Sequence, residues 1–269
     1  MKGQGTQPAA ASDQSVILRV TGVTHAFDGV RALADVSVSI RQGQLVGLIG
    51  PNGSGKTTCF NLITKIYETQ HGSIEFLGRN LAGLNTVDVA ELGIARTFQN
   101  PRCFGSLTVV EHPVVALRTE FNGAGGLFRK FMHYTSSWEL HRERAMACLE
   151  RVGLADEADR LAGALPYGKR RLVEIARCLA RRPSLILFDE PTAGLNEAES
   201  RELRRVLGNL CAEQQLTLLV IEHDVTFIRD LCERLLVLDD GRLIADGPVG
   251  EVIRDEVVIS AYLGETLEC

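Results

Sequence analysis

The chain has 269 residues, of which 45% are hydrophobic and 23% charged, and a formal net charge of −5. That balance suits a globular protein with a full core and gives no global electrostatic case for a nucleic-acid partner. The 7 cysteines are odd in number and scattered without a C-x-x-C pair, which argues against a disulfide framework or zinc site and fits a reducing cytosol, and no apolar run reaches bilayer-spanning length.

Residues 1–15 are polar and small with no hydrophobic centre, so they read as a disordered leader and not as a signal peptide. Residues 17–20 and 36–40 read as short strands, the second alternating at period two. Phe27-Asp28-Gly29 turns the chain between them; the Phe27 ring suits either stacking on a base or packing under a hairpin. An apolar strand over 44–49 then runs into Gly50-Pro51-Asn52-Gly53-Ser54-Gly55-Lys56-Thr57-Thr58, which fits G-x-x-x-x-G-K-[ST], and a helix is expected over 57–66. Strand, loop and helix in that order are the context a P-loop needs. Its glycines let backbone N–H groups turn inward around a phosphate chain, and the helix start adds partial positive charge. Lys56 brings a full charge to the β- and γ-phosphates, and the Thr57 hydroxyl can hold Mg2+. Cys59 reads as a small buried helix residue, with sensitivity of nucleotide binding to thiol reagents as the alternative.

A strand over 71–78 joins the first two in a small antiparallel sheet. Residues 93–99 read as a strand ending in a loop that carries Gln99. From 100 to about 182 the pattern is helical, with a glycine-rich break over 122–126. Ala145, Cys148, Leu149 and Val152 form one apolar face, Leu172, Ile175, Ala176 and Leu179 repeat it, and Gly153 is placed to cap the first helix. The arginine-rich stretch from Arg170 to Arg182 reads as a solvated face with i,i+4 pairing to Glu174. Residues 185–188 form a fully apolar strand that ends in Asp189-Glu190. Carboxylates at the end of a strand beside a P-loop point to Asp189 supporting Mg2+ and Glu190 orienting the attacking water. A charged helix over 197–213, a buried strand over 216–221 ending at Glu222-His223-Asp224, a helix over 225–233, two strands near 235–238 and 243–246, and helical turns over 249–263 complete an α/β alternation. The expected organisation is a nucleotide core over 16–99 and 183–250 with an antiparallel β subdomain, an inserted α-helical subdomain over 100–182, and a helical tail over 251–269.

Taken as a spaced set, these motifs resemble the ATP-binding subunit of an ABC transporter over nearly the whole chain. Gly50 to Thr58 is the P-loop, Gln99 matches the Q-loop glutamine, and Leu165-Pro166-Tyr167-Gly168-Lys169 stands where the LSGGQ signature belongs. Asp189-Glu190 ends the Walker B strand, Ala193-Gly194-Leu195-Asn196 looks like the D-loop, and His223 matches the switch histidine. The resemblance implies ATP and Mg2+ as ligands, with Thr57, Gln99 and Asp189 around the metal, Glu190, His223 and Gln99 at the γ-phosphate, and Phe27 on the adenine. It also implies that residues 165–169 bind ATP held by an opposite subunit in a head-to-tail dimer. This signature has Pro166 for Ser, Tyr167 for the first Gly and Lys169 for Gln. The lost hydroxyl removes one hydrogen bond, and Lys169 brings a charge that can partly offset it.

Tyr167, the long helical insert, the Gly-Leu-Asn of the D-loop and the tail Ala261-Tyr262-Leu263-Gly264-Glu265 resemble the ATPases of high-affinity branched-chain amino-acid importers. That implies a cytosolic subunit at the inner face of the plasma membrane, a second, non-identical ATPase, two transmembrane permease subunits, and indirectly a substrate-binding protein. Related ATPases serve importers of urea, amides or other amino acids, or a lipopolysaccharide exporter. Glu111-His112-Pro113 and Phe128-Arg129-Lys130-Phe131 depart from the pattern and read as solvated helix, or as a face for lipid headgroups or a coupling helix. A soluble ABC ATPase acting on nucleic acid or ribosomes would carry two cassettes or a long coiled coil, and neither is found. A purely regulatory nucleotide module would lack Glu190 and His223.

Overall fold

The structure is a computed structural model that describes residues 16–117, 127–214 and 216–265. Strands β1 (Val16–Phe27) and β2 (Val30–Arg41) form an antiparallel hairpin closed by Asp28 and Gly29, at φ 47° and 85°. Both turn residues are left-handed, which is the twist a two-residue hairpin needs and the reason for Asp-Gly. The strands are far longer than the sequence pattern indicates. Register shifts near Val20, Val23 and His25, with Gly22 and Asp35 at φ 58° and 57°, break the alternation midway and hide the continuity. β3 (Leu45–Ile49) leads to α1 (Lys56–Ile63), and β4 (His71–Phe76) and β5 (Arg79–Asn80) complete the first sheet in the order β2-β1-β4-β5.

Next come α2 (Thr86–Glu91), β6 (Ile94–Arg96), α3 (Glu111–Leu117), α4 (Leu127–Arg151) and α5 (Tyr167–Ala180). β7 (Leu185–Asp189), α6 (Glu197–Gln214), β8 (Thr217–Ile221), α7 (Val225–Leu231), β9 (Arg234–Asp239), β10 (Arg242–Pro248), α8 (Val249–Val252) and α9 (Glu256–Glu265) follow. The second sheet runs β10-β9-β3-β8-β7-β6, parallel from β9 to β6, with β10 antiparallel at one edge.

The apolar strands of this sheet feed two cores, one on each face. Ile186, Phe188, Leu218, Val220, Leu235 and Val237 pack with the helices, including Ala145, Leu149, Val152, Ile175 and Leu179. Leu185, Leu187, Leu219, Ile221, Leu236 and Leu238 pack with the hairpin sheet and α1. A strand covered on both faces must be apolar at every position, which is why these runs read as continuous. Gly153 stands at φ 72° just past α4, in the left-handed form of a helix stop. The glycine-rich break over 122–126 lies outside the described residues, as do the side chains of Phe128, Arg129, Lys130 and Phe131.

Two readings are corrected. Glu111-His112-Pro113 is not a solvated helix: His112 is 1% exposed, its Nδ1 lies 2.9 Å from the Thr108 carbonyl, and its Nε2 accepts the Phe104 N–H at 3.0 Å. That pattern holds the ring neutral, and burial lowers its pKa. The second correction is in α5. Arg171 and Glu174 are fully buried, and the pairing to Glu174 comes at i,i+3 from Arg171 and Arg177. Glu174 lies inward because it also receives a backbone N–H, from Phe98.

Candidate active site

The P-loop joins β3 to α1. Gly50 and Gly55 have φ 154° and 100°, and a Cβ on either would strike a main-chain carbonyl, of Leu238 and Ala32 respectively. Only glycine lets the loop lie that close to its neighbours. Lys56 is buried, with its ammonium 2.7 Å from the carbonyl oxygens of both Gly50 and Pro51. Ser54 is buried, Asn52, Gly53 and Thr57 are exposed, and Thr58 is intermediate. The residue before α1 is Gly55, at φ 100°, which has no side chain with which to cap the helix. Cys59 is 6% exposed and burial pushes its thiol up to about 12, the condition of an inert core thiol.

β6, β7 and β8 are neighbours in the sheet, and the residues after their C-terminal ends converge. Glu190 Oε2 accepts from Gln99 Nε2 at 2.5 Å, and Glu190 Oε1 lies 3.2 Å from His223 Nε2. Glu190 has φ 47°, and its N–H donates to the Ile221 carbonyl at 2.9 Å. A non-glycine residue in the left-handed region costs on the order of 1 kcal/mol, and here it turns the carboxylate toward the other two groups.

Asp189 ends β7 and accepts from Arg96 Nη2 at 2.7 Å. Arg96 also donates to Asn61 Oδ1 at 2.7 Å and lies 5.6 and 5.7 Å from the ring centres of Phe60 and Phe98. The Asp189 carboxylate is therefore held by a side chain that ties β6 to α1, a contact the sequence reading missed. Among the described residues no group of three or more His, Cys, Asp or Glu stands ready to hold a metal alone. Thr57, Gln99 and Asp189 offer only oxygen, the donor set a hard cation such as Mg2+ takes when phosphates and water supply the rest.

Glu222 is a second residue that sequence reading passed over. It is 3% exposed, accepts the Thr192 N–H at 2.6 Å and the His223 N–H at 3.2 Å, and burial raises its pKa. It thus ties the loop after Glu190 to the loop carrying His223. A carboxylate ending a fully apolar strand was the available signal. Phe27 is 41% exposed at the hairpin end, with the rings of His25 and Tyr67 4.7 and 5.2 Å away. Tyr67 was not singled out from the sequence because it lies in irregular chain after α1.

In the signature stretch Leu165 is buried, Pro166 precedes α5 without a side-chain cap bond, and Tyr167 opens the helix. A Cβ on Gly194 would come 3.2 Å from Tyr167 Cε1, so the tyrosine ring lies against the D-loop of its own chain. A Cβ on Gly168 would come 2.6 Å from Glu199 Oε1. Lys169 pairs with Glu157, which also takes Arg160. The lysine and, next, the arginine hold the Glu157 carboxyl below the usual range. The expectation that Lys169 brings a charge to the signature is corrected here: that charge is engaged within the chain.

This arrangement defines a P-loop ATPase of the cassette type. The family profile described as "ABC transporter" matches residues 33–193, and one described as "Branched-chain amino acid ATP-binding cassette transporter" matches residues 242–267. The chain belongs to the ABC transporter ATP-binding family, within the group of the high-affinity branched-chain amino acid transport ATP-binding proteins. It is 38% identical over 260 residues to the protein of that description, BraF, from Pseudomonas aeruginosa, covering 93% of this chain and 98% of the relative. It is 37% identical over 252 residues to LivG from Escherichia coli, with the same coverage. Among solved structures, an ATP-binding cassette of an ABC transporter in its ADP conformation matches with TM-score 0.80 at 31% identity, over 93% of this chain and 99% of the other. A dimeric bacterial ABC transporter cassette matches with TM-score 0.71 at 26% identity, over 87% and 99%.

Proposed function

We propose that this chain powers the import of branched-chain amino acids by hydrolysing ATP at the end of the parallel sheet. The observation that carries the hydrolysis is the contact of Glu190 with both Gln99 and His223, across the ends of β6, β7 and β8, the last of which neighbours the P-loop strand; what supports import is the similarity to the branched-chain amino acid transport ATP-binding proteins. Lys56 and the uncapped start of α1 bind the β- and γ-phosphates. Phe27, with Tyr67 beside it, receives the adenine face. When bound, Mg2+ neutralises phosphate charge. Thr57, Gln99 and Asp189, the last oriented by Arg96, would hold it. Glu190 orients and polarises the attacking water, Gln99 fixes the angle of that carboxylate, and His223 contacts the γ-phosphate.

In this reading the site is half of a pair. The signature residues Leu165, Pro166, Tyr167, Gly168 and Lys169 close on ATP held by a second, non-identical ATPase subunit in a head-to-tail dimer, and that subunit's signature completes this one. Two permease subunits anchor the pair at the cytoplasmic face of the membrane, and a substrate-binding protein feeds them. No helix of the described residues is long and apolar enough to cross a membrane, which agrees with a peripheral subunit docked on others. The test is Glu190→Gln measured by nucleotide binding and by phosphate release. Binding is expected to persist while turnover falls about 10²–10⁴-fold; turnover near that of the unchanged chain would refute the assignment.

A further inference from the structure

Helix α5 carries a charged pair that ATP chemistry does not call for. The side chains of Arg171 and Glu174 are both 0% exposed, and Arg171 is the bulkiest fully buried side chain among the described residues. Arg171 Nη1 donates to the Phe98 carbonyl at 2.5 Å and to Glu174 Oε2 at 3.2 Å, and its Nη2 donates to the Gln99 carbonyl. Glu174 Oε1 accepts the Phe98 N–H at 3.3 Å. Arg177, at 3.4 Å from the same Glu174 oxygen, donates in turn to the Arg102 carbonyl at 2.7 Å.

All three charged side chains thus hold one short piece of backbone, the one that carries Gln99. A buried ion pair is a poor device for stability alone, because desolvation offsets most of its attraction. Arg171 Nε, moreover, is buried without a hydrogen-bond partner. What the pair provides is direction: a planar fork fixes two successive carbonyls at once, which a point charge cannot do.

We infer that Arg171 and Glu174 are positioning residues that lock the Gln99 backbone to the signature helix, so that the start of α5 and the Gln99–Glu190 contact move as one piece. The two ends of this link lie in different sites. Tyr167, Gly168 and Lys169 at the start of α5 face the partner's ATP in the reading proposed here, whereas Gln99 faces this chain's own. Closure on one nucleotide then sets the angle of the carboxylate at the other. The inference rests on the reading of Gln99 as a γ-phosphate residue, and its test separates the two.

The variants are Gln99→Ala, the apolar pair Arg171→Met/Glu174→Met, the triple combination, and Arg171→Lys. The apolar pair fills a similar volume and removes both fully buried charges, while the partly exposed Arg177 keeps its bond to the Arg102 carbonyl, so the variant is expected to fold; Arg171→Lys keeps the charge opposite Glu174 and loses the fork. For the full chain assembled with its partner ATPase subunit, the readouts are affinity for a fluorescent ATP analogue, ATP turnover, and hydrogen exchange at the Phe98 amide. Expected are an unchanged affinity, turnover lowered about 10- to 100-fold in the apolar pair and in Arg171→Lys, faster exchange at Phe98, and a triple variant no slower than Gln99→Ala alone. Full turnover in the apolar pair or in Arg171→Lys, or losses that multiply in the triple variant, would overturn the link while leaving Gln99 in place. Full turnover in Gln99→Ala would instead overturn the role of Gln99, and the link with it.

Discussion

Helices α1 and α5 both start without a side-chain cap, yet they are prepared in opposite ways. Before α1 the chain passes through Gly50, Gly53 and Gly55 at φ 154°, 79° and 100°, and the helix opens on a lysine whose ammonium is held by carbonyls of its own loop. Before α5 stands Pro166, extended, and the first turn carries a tyrosine packed on Gly194 and a lysine paired with Glu157. The first helix start holds its cation inside the loop that wraps the phosphates. The second has its cation neutralised locally and offers chiefly main-chain N–H groups. A signature can therefore lose the Ser, the first Gly and the Gln of the common form and keep the part that does not depend on side chains.

The contrast is open to direct attack. Lys56→Ala should have the largest effect, since it removes charge-assisted hydrogen bonds of about 1.5–3 kcal/mol and so weakens ATP binding by roughly 10- to 150-fold in equilibrium titration. An unchanged affinity would erase the distinction between the two helix starts.

Glu222→Gln tests the tie between the two regions, because Glu222 holds Thr192, just ahead of the D-loop on which Tyr167 packs. Burial raises the Glu222 pKa above its ordinary 4.5, so the folded chain binds this proton more tightly than the unfolded one. Its contribution to stability is present at low pH and is lost as pH rises through the raised value. Urea midpoints measured from about pH 4.5 to 7.5 should fall less steeply in Glu222→Gln than in the unchanged chain; parallel curves would show that Glu222 does not titrate in that way.

The smallest effect is expected at Lys169. Lys169→Ala should leave ATP affinity and ATP-driven association within about twofold, since Lys169 is 44% exposed and its charge is already paired with Glu157 of its own chain. A large loss of association would mean that the charge reaches the partner's phosphate after all. Gly168→Asp is a poorer probe of closure, because the new side chain would run into Glu199 of its own chain.

The parallel strands and the P-loop were legible because burial on both faces forces unbroken apolar runs and a phosphate loop forces glycines. Leu185 to Phe188 followed by Asp189-Glu190 therefore announced both its strand and its carboxylates. The hairpin β1–β2 was half legible: the bulges near Val20 and Val23 destroy period two just where the strands continue. The buried charges were not legible at all. Arg171 sits in an arginine-rich helix where a solvated face is the ordinary outcome, and what draws it inward is the backbone of residues 98 and 99, 73 and 72 positions away. Arg96 and Glu222 escaped for the same reason, since their partners Asp189 and Thr192 are distant in sequence. Periodicity sees which face of an element is apolar; it does not see which distant carbonyl or carboxylate a polar side chain will meet.

The adjacency of β6, β7 and β8 has one further consequence. Neighbouring strands in a sheet are spaced about 4.8 Å apart by their own hydrogen bonds. Gln99, Glu190 and His223 each follow the end of one of these strands, so the pleated backbone acts as a ruler for the spacing of these three side chains. Loops elsewhere can be rewritten, as residues 165–169 have been, while the ruler keeps its marks. Variation between cassettes in partner and cargo is thereby uncoupled from the arithmetic of hydrolysis, and one engine can be fitted to many gates.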